Sequence, residues 1–97
     1  MKKVRIEHAT DSQLNWLVAI VKEEYRPIPV PNYVGDWAQG GPLLEEAKIT
    51  VTWDWNEWYA YSVGHTNIHW AETYLKASVR VFVSIHLGDE AEVPEEL

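Results

Sequence analysis

The stretch KITVTWDWNEWYAYSV, residues 48–63, decides the fold of this chain. Its two halves, 48–53 and 58–63, are rich in β-branched and aromatic residues that alternate with a period of two, which is typical of β-strands. Between them, residues 54–57 offer the polar side chains that favour a turn. The stretch therefore predicts an antiparallel β-hairpin, although its turn lacks the Asn-Gly pair that would fix the register.

The same alternation divides the side chains of each predicted strand between two faces of the hairpin. We expect one face to be buried, and the other to be exposed or covered by a neighbouring loop. On the first strand, Ile49, Val51 and Trp53 share one face. On the second strand, one face carries Trp58, Ala60 and Ser62, and the other carries Tyr59, Tyr61 and Val63.

Upstream of the hairpin, the sequence predicts a strand, a helix and a long connection. Residues 3–7 alternate polar and apolar, as in a half-buried strand. Thr10 and Gln13 fit a capping box, and the apolar stripe that follows predicts a helix over residues 10–24. Prolines and glycines over residues 25–41 predict a long irregular loop, which Pro42 ends by starting a short helical turn.

Downstream of the hairpin, residues 64–70 read as a polar loop and residues 74–87 are ambiguous. Alternating valines favour a strand in that segment by propensity. The helical stripe, an N-cap at Thr73 and a terminal Gly88 favour a helix, which we prefer because such a strand would be unusually long. Residues 88–97 carry five acids and no base, and we expect a solvated tail.

Together these elements predict one α+β domain over residues 1–97, with the order β-α-β-β-α. Two main helices would pack on a small antiparallel sheet of three strands, in which the N-terminal strand joins the hairpin because two strands alone are marginally stable. A chain of 97 residues suits a single small core.

Composition bears on the class of partner. The formal net charge is −7, and three of the eight basic residues lie within the first five positions, so direct nucleic-acid binding is disfavoured and a basic protein partner is favoured. No apolar run reaches the length of a membrane span, and polar residues follow the basic start where a signal peptide would be apolar. Without cysteine, the simplest expectation is a cytoplasmic protein.

Four segments, taken in order, resemble a known family. They are LNWLVAIVKEE (14–24), DWAQGGPLLEEAKITV (36–51), WYAYS (58–62) and TYLKASVRVFVSIHLGDEAEVPEEL (73–97). Their order and spacing resemble the NinX-like family of small bacteriophage and prophage proteins. The resemblance implies a phage or prophage origin and the host cytoplasm as location, and it supplies no active-site residues.

Six tryptophans are the most conspicuous candidates for a function. A small domain uses large rings to fill its core, but Trp and Tyr also anchor protein interfaces. We therefore expect an exposed aromatic loop and hairpin surface that binds a host or phage protein. Its candidate residues are Trp37, Gln39, Gly40, Gly41, Trp55 and Trp58.

Other constellations are weaker. His65 and His69 are spaced for a helical metal site but fall in a predicted loop, and no serine sits in a nucleophile elbow. We therefore predict no metal, no cofactor and no enzymatic activity, with the protein a monomer or weak homodimer. Two alternatives remain open: a small-ligand or carbohydrate binder that stacks its rings, and an acidic mimic of nucleic acid that occupies a basic host protein.

Overall fold

The computed structural model describes residues 1–22 and 29–97. The two hairpin strands, at 49–54 and 57–62, and a third strand at 69–71 form an antiparallel sheet in sequence order, and the first and last strands, at 2–5 and 90–93, pair in a separate antiparallel sheet. This mixed architecture confirms the predicted α+β class and the three-stranded sheet. The elements are β1 (Lys2–Arg5), a 3-10 turn (Ile6–His8), α1 (Asp11–Val21), α2 (Trp37–Glu46), β2 (Ile49–Asp54), β3 (Glu57–Ser62), β4 (His69–Ala71), α3 (Tyr74–Leu87) and β5 (Glu90–Val93).

Helix α3 is the centre of the molecule, and its burial explains the ambiguity of its sequence. On one side, Val79, Phe82 and Val83 join the core that α1 and β5 complete. On the other side, Ala77 and Val81 pack against the three-stranded sheet. A helix buried on opposite sides needs apolar residues nearly all round, and such a pattern also satisfies the period of a strand. The preferred helical interpretation is confirmed.

The N-terminal strand does not join the hairpin, and this part of the prediction is wrong. It pairs with β5, which lies in the tail that was expected to be solvated. The tail is instead anchored by Val93, which is completely buried in the core. Acidic and apolar residues alternate over 90–93, which is the pattern of an edge strand. The many acidic residues of the tail make this short pattern hard to recognise in the sequence.

The third strand of the sheet is β4, His69–Ala71, in the segment predicted as a polar loop. It pairs with β3, placing Ala71 opposite Trp58 and His69 opposite Ala60. Three residues are too few for a periodicity signal to stand out in sequence. Pairing with β3 is what defines this strand.

Helix α1 begins as predicted. The Thr10 side chain accepts a hydrogen bond from the Gln13 amide, and the Gln13 side chain accepts one from the Thr10 amide, completing the capping box. Glu23 and Glu24, the last residues of the predicted helix, lie outside the described residues, as do Tyr25 and Pro27.

The predicted loop over residues 25–41 ends earlier than expected, because α2 begins at Trp37. Two glycines and a proline argue against a helix by propensity. The Asp36 side chain nevertheless caps the helix by accepting from the Ala38 amide, and Gly40 packs closely under the Tyr33 carbonyl and Leu75. Capping and packing therefore override propensity here. Over the ranges 1–22 and 29–97, no helix has the length and apolar character needed to cross a membrane.

Candidate functional site

Four aromatic rings form a continuous series of contacts, which we call the aromatic cluster: Trp53, Trp58, Tyr74 and Trp37. Ring centroids are 5.1 Å apart between Trp53 and Trp58, 5.2 Å between Trp58 and Tyr74, and 5.3 Å between Tyr74 and Trp37. The first two contacts are edge-to-face and the third is tilted. These are favourable geometries for aromatic pairs, so each ring supports the next.

Three elements position this cluster. Trp53 and Trp58 are directly opposite each other in the β2–β3 register, two positions from the hairpin turn. Tyr74 is the first residue of α3, and Trp37 is the first residue of α2. The N-termini of two helices thus converge beside the tip of the hairpin, and each helix start is fixed by a side-chain cap.

The two ends of the cluster are open to solvent. Trp37 is 57% exposed and Trp53 is 52% exposed, whereas Trp58 and Tyr74 between them are half-buried. The inner rings therefore tie the cluster to the core of the domain, and the outer indoles present apolar surface to water. None of the six tryptophans is fully buried, so core filling does not account for them all.

A trough of about 400 Å³ runs along the cluster. Trp37, Trp58 and Tyr74 supply aromatic walls, and Glu72 contributes a carboxylate. Hydrogen bonds from its own backbone amide and from Lys76 hold the pKa of Glu72 below its usual value, so this group is ionised at neutral pH. The remaining lining residues are Val34, Gly35, Thr73 and Leu75.

The structure brings together part of the predicted site. Trp37 and Trp58 both belong to the aromatic cluster, bridged by Tyr74. Gly41 lies under the Trp37 ring, where a Cβ would meet the indole at 3.3 Å. Gly40 is buried and serves helix packing, and Gln39 is exposed on α2.

Trp55 stands apart at the tip of the hairpin. It is 92% exposed and has a positive φ of 61°. Within the described ranges, no ring contact joins it to the aromatic cluster. Its position extends the exposed aromatic surface beyond the cluster without being part of it.

Sequence reasoning missed two members of the cluster, Trp53 and Tyr74. Trp53 could have been found from register, because a two-residue turn at Trp55-Asn56 places Trp53 opposite Trp58. Tyr74 follows the predicted N-cap Thr73, but nothing in the local sequence indicates which strand that helix start approaches. Its role depends on tertiary structure.

A second aromatic group lies on the sheet face that points away from α3, and we call it the outer-face row: Tyr59, Tyr61 and Trp70. The Tyr59 ring lies 6.2 Å from Tyr61 and 4.8 Å from Trp70. Thr52 and Thr50 are opposite Tyr59 and Tyr61 on β2, so their side chains share this face. Trp70 is 43% exposed.

The two neighbouring histidines face different surroundings. His69 is buried and borders a polar cavity of about 270 Å³ with Arg5, Glu7 and Asp89, and its burial lowers its pKa below the usual value. His65 is exposed and borders another cavity. The prediction that both histidines lie in a loop is therefore wrong for His69, which is the first residue of β4. Across residues 1–22 and 29–97, no three His, Asp or Glu side chains are grouped so that they could hold a metal ion.

The fold is that of a small α+β protein, and its main candidate site is the aromatic cluster. A family model described as Bacteriophage P22, NinX matches residues 29–86, more than half of the chain. The chain belongs to this NinX family of bacteriophage proteins, which confirms the resemblance seen in its sequence. The matched segment contains the whole aromatic cluster and excludes α1 and β5. No curated protein matches the chain.

Proposed function

We propose that this phage accessory protein is not an enzyme and that it binds a host or phage protein through the aromatic cluster. The exposure of Trp37 and Trp53 at the ends of an otherwise packed ring series carries the proposal. In the host cytoplasm, where we place the protein as a monomer or weak homodimer, these two indoles would be covered by the partner.

Physical chemistry supports an interface role for these rings. Burial of apolar surface is favourable by roughly 25 cal/mol per Å², so covering an exposed indole would contribute to binding free energy. Tryptophan and tyrosine are enriched among the residues that dominate binding energy, because they offer large, rigid areas. Here Tyr74 and Trp58 hold the exposed indoles in fixed positions. A partner would therefore meet a surface with little conformational entropy left to lose.

Affinity capture from host lysate tests the proposal. Trp37→Ala and Trp53→Ala should each lose the proteins that the wild-type protein captures, and Trp70→Ala is the matched control. Trp70 is also a partly exposed tryptophan, but it lies on the opposite face of the sheet. Circular dichroism and thermal unfolding should show that all three variants are folded. Retention of the same captured proteins by Trp37→Ala and Trp53→Ala would contradict the proposal.

A second candidate function is supported by the outer-face row. Tyr59 and Trp70 present neighbouring rings beside threonine hydroxyls, and such a platform suits a carbohydrate, whose apolar faces stack on aromatic rings while its hydroxyls accept and donate hydrogen bonds. Neutral oligosaccharides should then raise the melting temperature of the wild-type protein, since a ligand of the native state stabilises it. Trp70→Ala should abolish that rise and Trp37→Ala should preserve it.

A further inference from the structure

The trough beside the aromatic cluster combines aromatic walls with a single charged group. Trp37, Trp58 and Tyr74 line it, and their contacts with one another fix the orientation of the rings. Leu75 and Val34 add apolar surface. Among residues 1–22 and 29–97, eight line the trough, and of these Glu72 alone carries a charge, so the described lining holds one acidic residue and no basic one.

The described cations near Glu72, Lys76 and Arg80, do not line the trough. Lys76 Nζ lies 3.1 Å from a Glu72 carboxylate oxygen and 2.8 Å from a carboxylate oxygen of Asp11. Arg80, which is almost fully buried, also interacts electrostatically with Glu72 and Asp11, so the formal charges of these four groups sum to zero. Asp36, the N-cap residue of α2 beside Trp37, adds a further negative charge next to the trough.

Aromatic faces and a carboxylate select for a particular occupant. The face of an aromatic ring carries negative potential and attracts a cation within about 6 Å of its centroid. An anion would be repelled by Glu72, and an apolar side chain would remove water from the carboxylate, at a desolvation cost. A guanidinium suits the trough better than an ammonium because it is planar, stacks on rings and is weakly hydrated. The apolar lining would also contact the methylene groups of an arginine side chain.

We infer that the trough receives an arginine side chain of the partner protein, stacked on its aromatic lining and paired with Glu72. This inference rests on the proposed function and specifies its chemistry. The partner surface is then basic at the point of contact, which complements the net charge of −7 on this protein.

Selection of a random linear peptide library on the full-length protein tests the inference. Peptides that bind wild type but not Trp37→Ala or Trp58→Ala should share an arginine. Replacing that arginine by leucine should weaken binding about fivefold to thirtyfold. Glu72→Gln should weaken binding of the arginine peptide and leave binding of the leucine peptide unchanged. Val63→Ala, at an exposed apolar residue outside the trough, should bind both peptides as wild type does.

The outcomes separate this inference from the proposed function. Peptides whose binding depends on Trp37 but that carry no basic residue would contradict the inference that the trough receives an arginine. The aromatic cluster would remain a candidate protein-binding surface. A selection that yields no peptide dependent on Trp37 would also overturn the inference. Lysate capture by the same variants would then test the proposed function independently. Equal affinity of the arginine peptide for wild type and Glu72→Gln would contradict the assigned ion pair.

Discussion

The Nη2 atom of Arg80 lies 3.2 Å from the carbonyl oxygen of Ala9, 71 residues earlier in the chain. Its Nη1 atom donates to the carbonyl oxygen of Trp70, and the side chain is almost fully buried. One guanidinium from the central helix thus holds both the segment before α1 and the edge strand β4. Burial lowers the pKa of Arg80, and its Nε atom has no partner among the described residues.

Replacing Arg80 should therefore destabilise the fold, even though removing a buried charge is by itself favourable. Arg80→Met leaves two carbonyl groups without their donor, and each unpaired carbonyl costs about 1–3 kcal/mol. Part of this cost is offset because the variant no longer has to remove a charged guanidinium from water. We expect a net loss of about 2 kcal/mol in the free energy of unfolding, measured by urea denaturation. Lys22→Met, which removes an exposed pair with Glu46, should cost less than about 1 kcal/mol. Equal losses in the two variants would contradict this role for Arg80.

The two adjacent glycines of α2 should respond differently to alanine. At Gly40 a Cβ would lie 2.0 Å from the Tyr33 carbonyl oxygen and 2.9 Å from Leu75, so α2 would have to move away from α3. At Gly41 the nearest atom belongs to the exposed Trp37 ring, which can shift. Gly40→Ala should cost about 1–3 kcal/mol, whereas Gly41→Ala should gain up to about 1 kcal/mol from helix propensity. Chemical denaturation checks both values, and a neutral Gly40→Ala would contradict the close packing.

These glycines also show why the sequence predicted only part of the fold. Periodicity and capping describe local structure, so they were sufficient for α1, for the hairpin and for the helical interpretation of α3. Helix α2 has a poor local composition and forms because Gly40 allows a close approach to Leu75. That approach is a tertiary contact, and no local pattern encodes it. The pairing of β1 with β5 is tertiary in the same way.

The candidate site, like the fold, is predicted from sequence where local pattern determines it and not where tertiary contacts do. Tryptophan content, together with the predicted loop and hairpin, is enough to select Trp37 and Trp58 as candidates. Tyr74 joins them only because the start of α3 lies beside the tip of the hairpin. The charge of the trough depends on the same geometry, since Glu72 lines it from the residues just before α3.

The acidic tail should be required for stability. Val93 is fully buried, and β5 completes the core against β1 and α1. Val93→Ala removes two methyl groups from that core and should cost about 2 kcal/mol of unfolding free energy. Glu92→Ala, on the exposed side of the same strand, should change it by less than about 0.5 kcal/mol. Similar thermal stability of Val93→Ala and wild type would show that β5 does not contribute to the core.

Acid should weaken the fold through His69 before it affects the carboxylates. Burial lowers the pKa of His69 from 6.5, so the unfolded chain binds a proton more readily than the native protein does. As pH falls below 6.5, the free energy of unfolding should therefore decrease, and His69→Gln should remove that decrease. Glu7 and Glu72 have a pKa lowered from 4.5, so their contributions are lost only at lower pH. Urea titrations at several pH values measure this, and identical slopes for wild type and His69→Gln would contradict it.

The hairpin turn should become more stable when its exposed tryptophan is replaced by glycine. Trp55 occupies the first central position of a two-residue turn with a φ of 61°, where glycine is favoured and a side chain is strained by about 1–2 kcal/mol. Its ring is 92% exposed, so little packing is lost with it. Trp55→Gly should therefore raise the free energy of unfolding by about 0.5–1 kcal/mol, part of the relief being offset by the added freedom of the unfolded chain.

Trp55→Ala provides the matched control, because alanine removes the same ring but keeps the strained backbone. We expect its stability to lie within about 0.5 kcal/mol of wild type, and the difference between the two variants isolates the backbone contribution. If the hairpin tip also contacts the partner, both variants should capture less of it from lysate, since both lack the indole. A glycine variant no more stable than the alanine variant would show that the positive φ at Trp55 carries no strain.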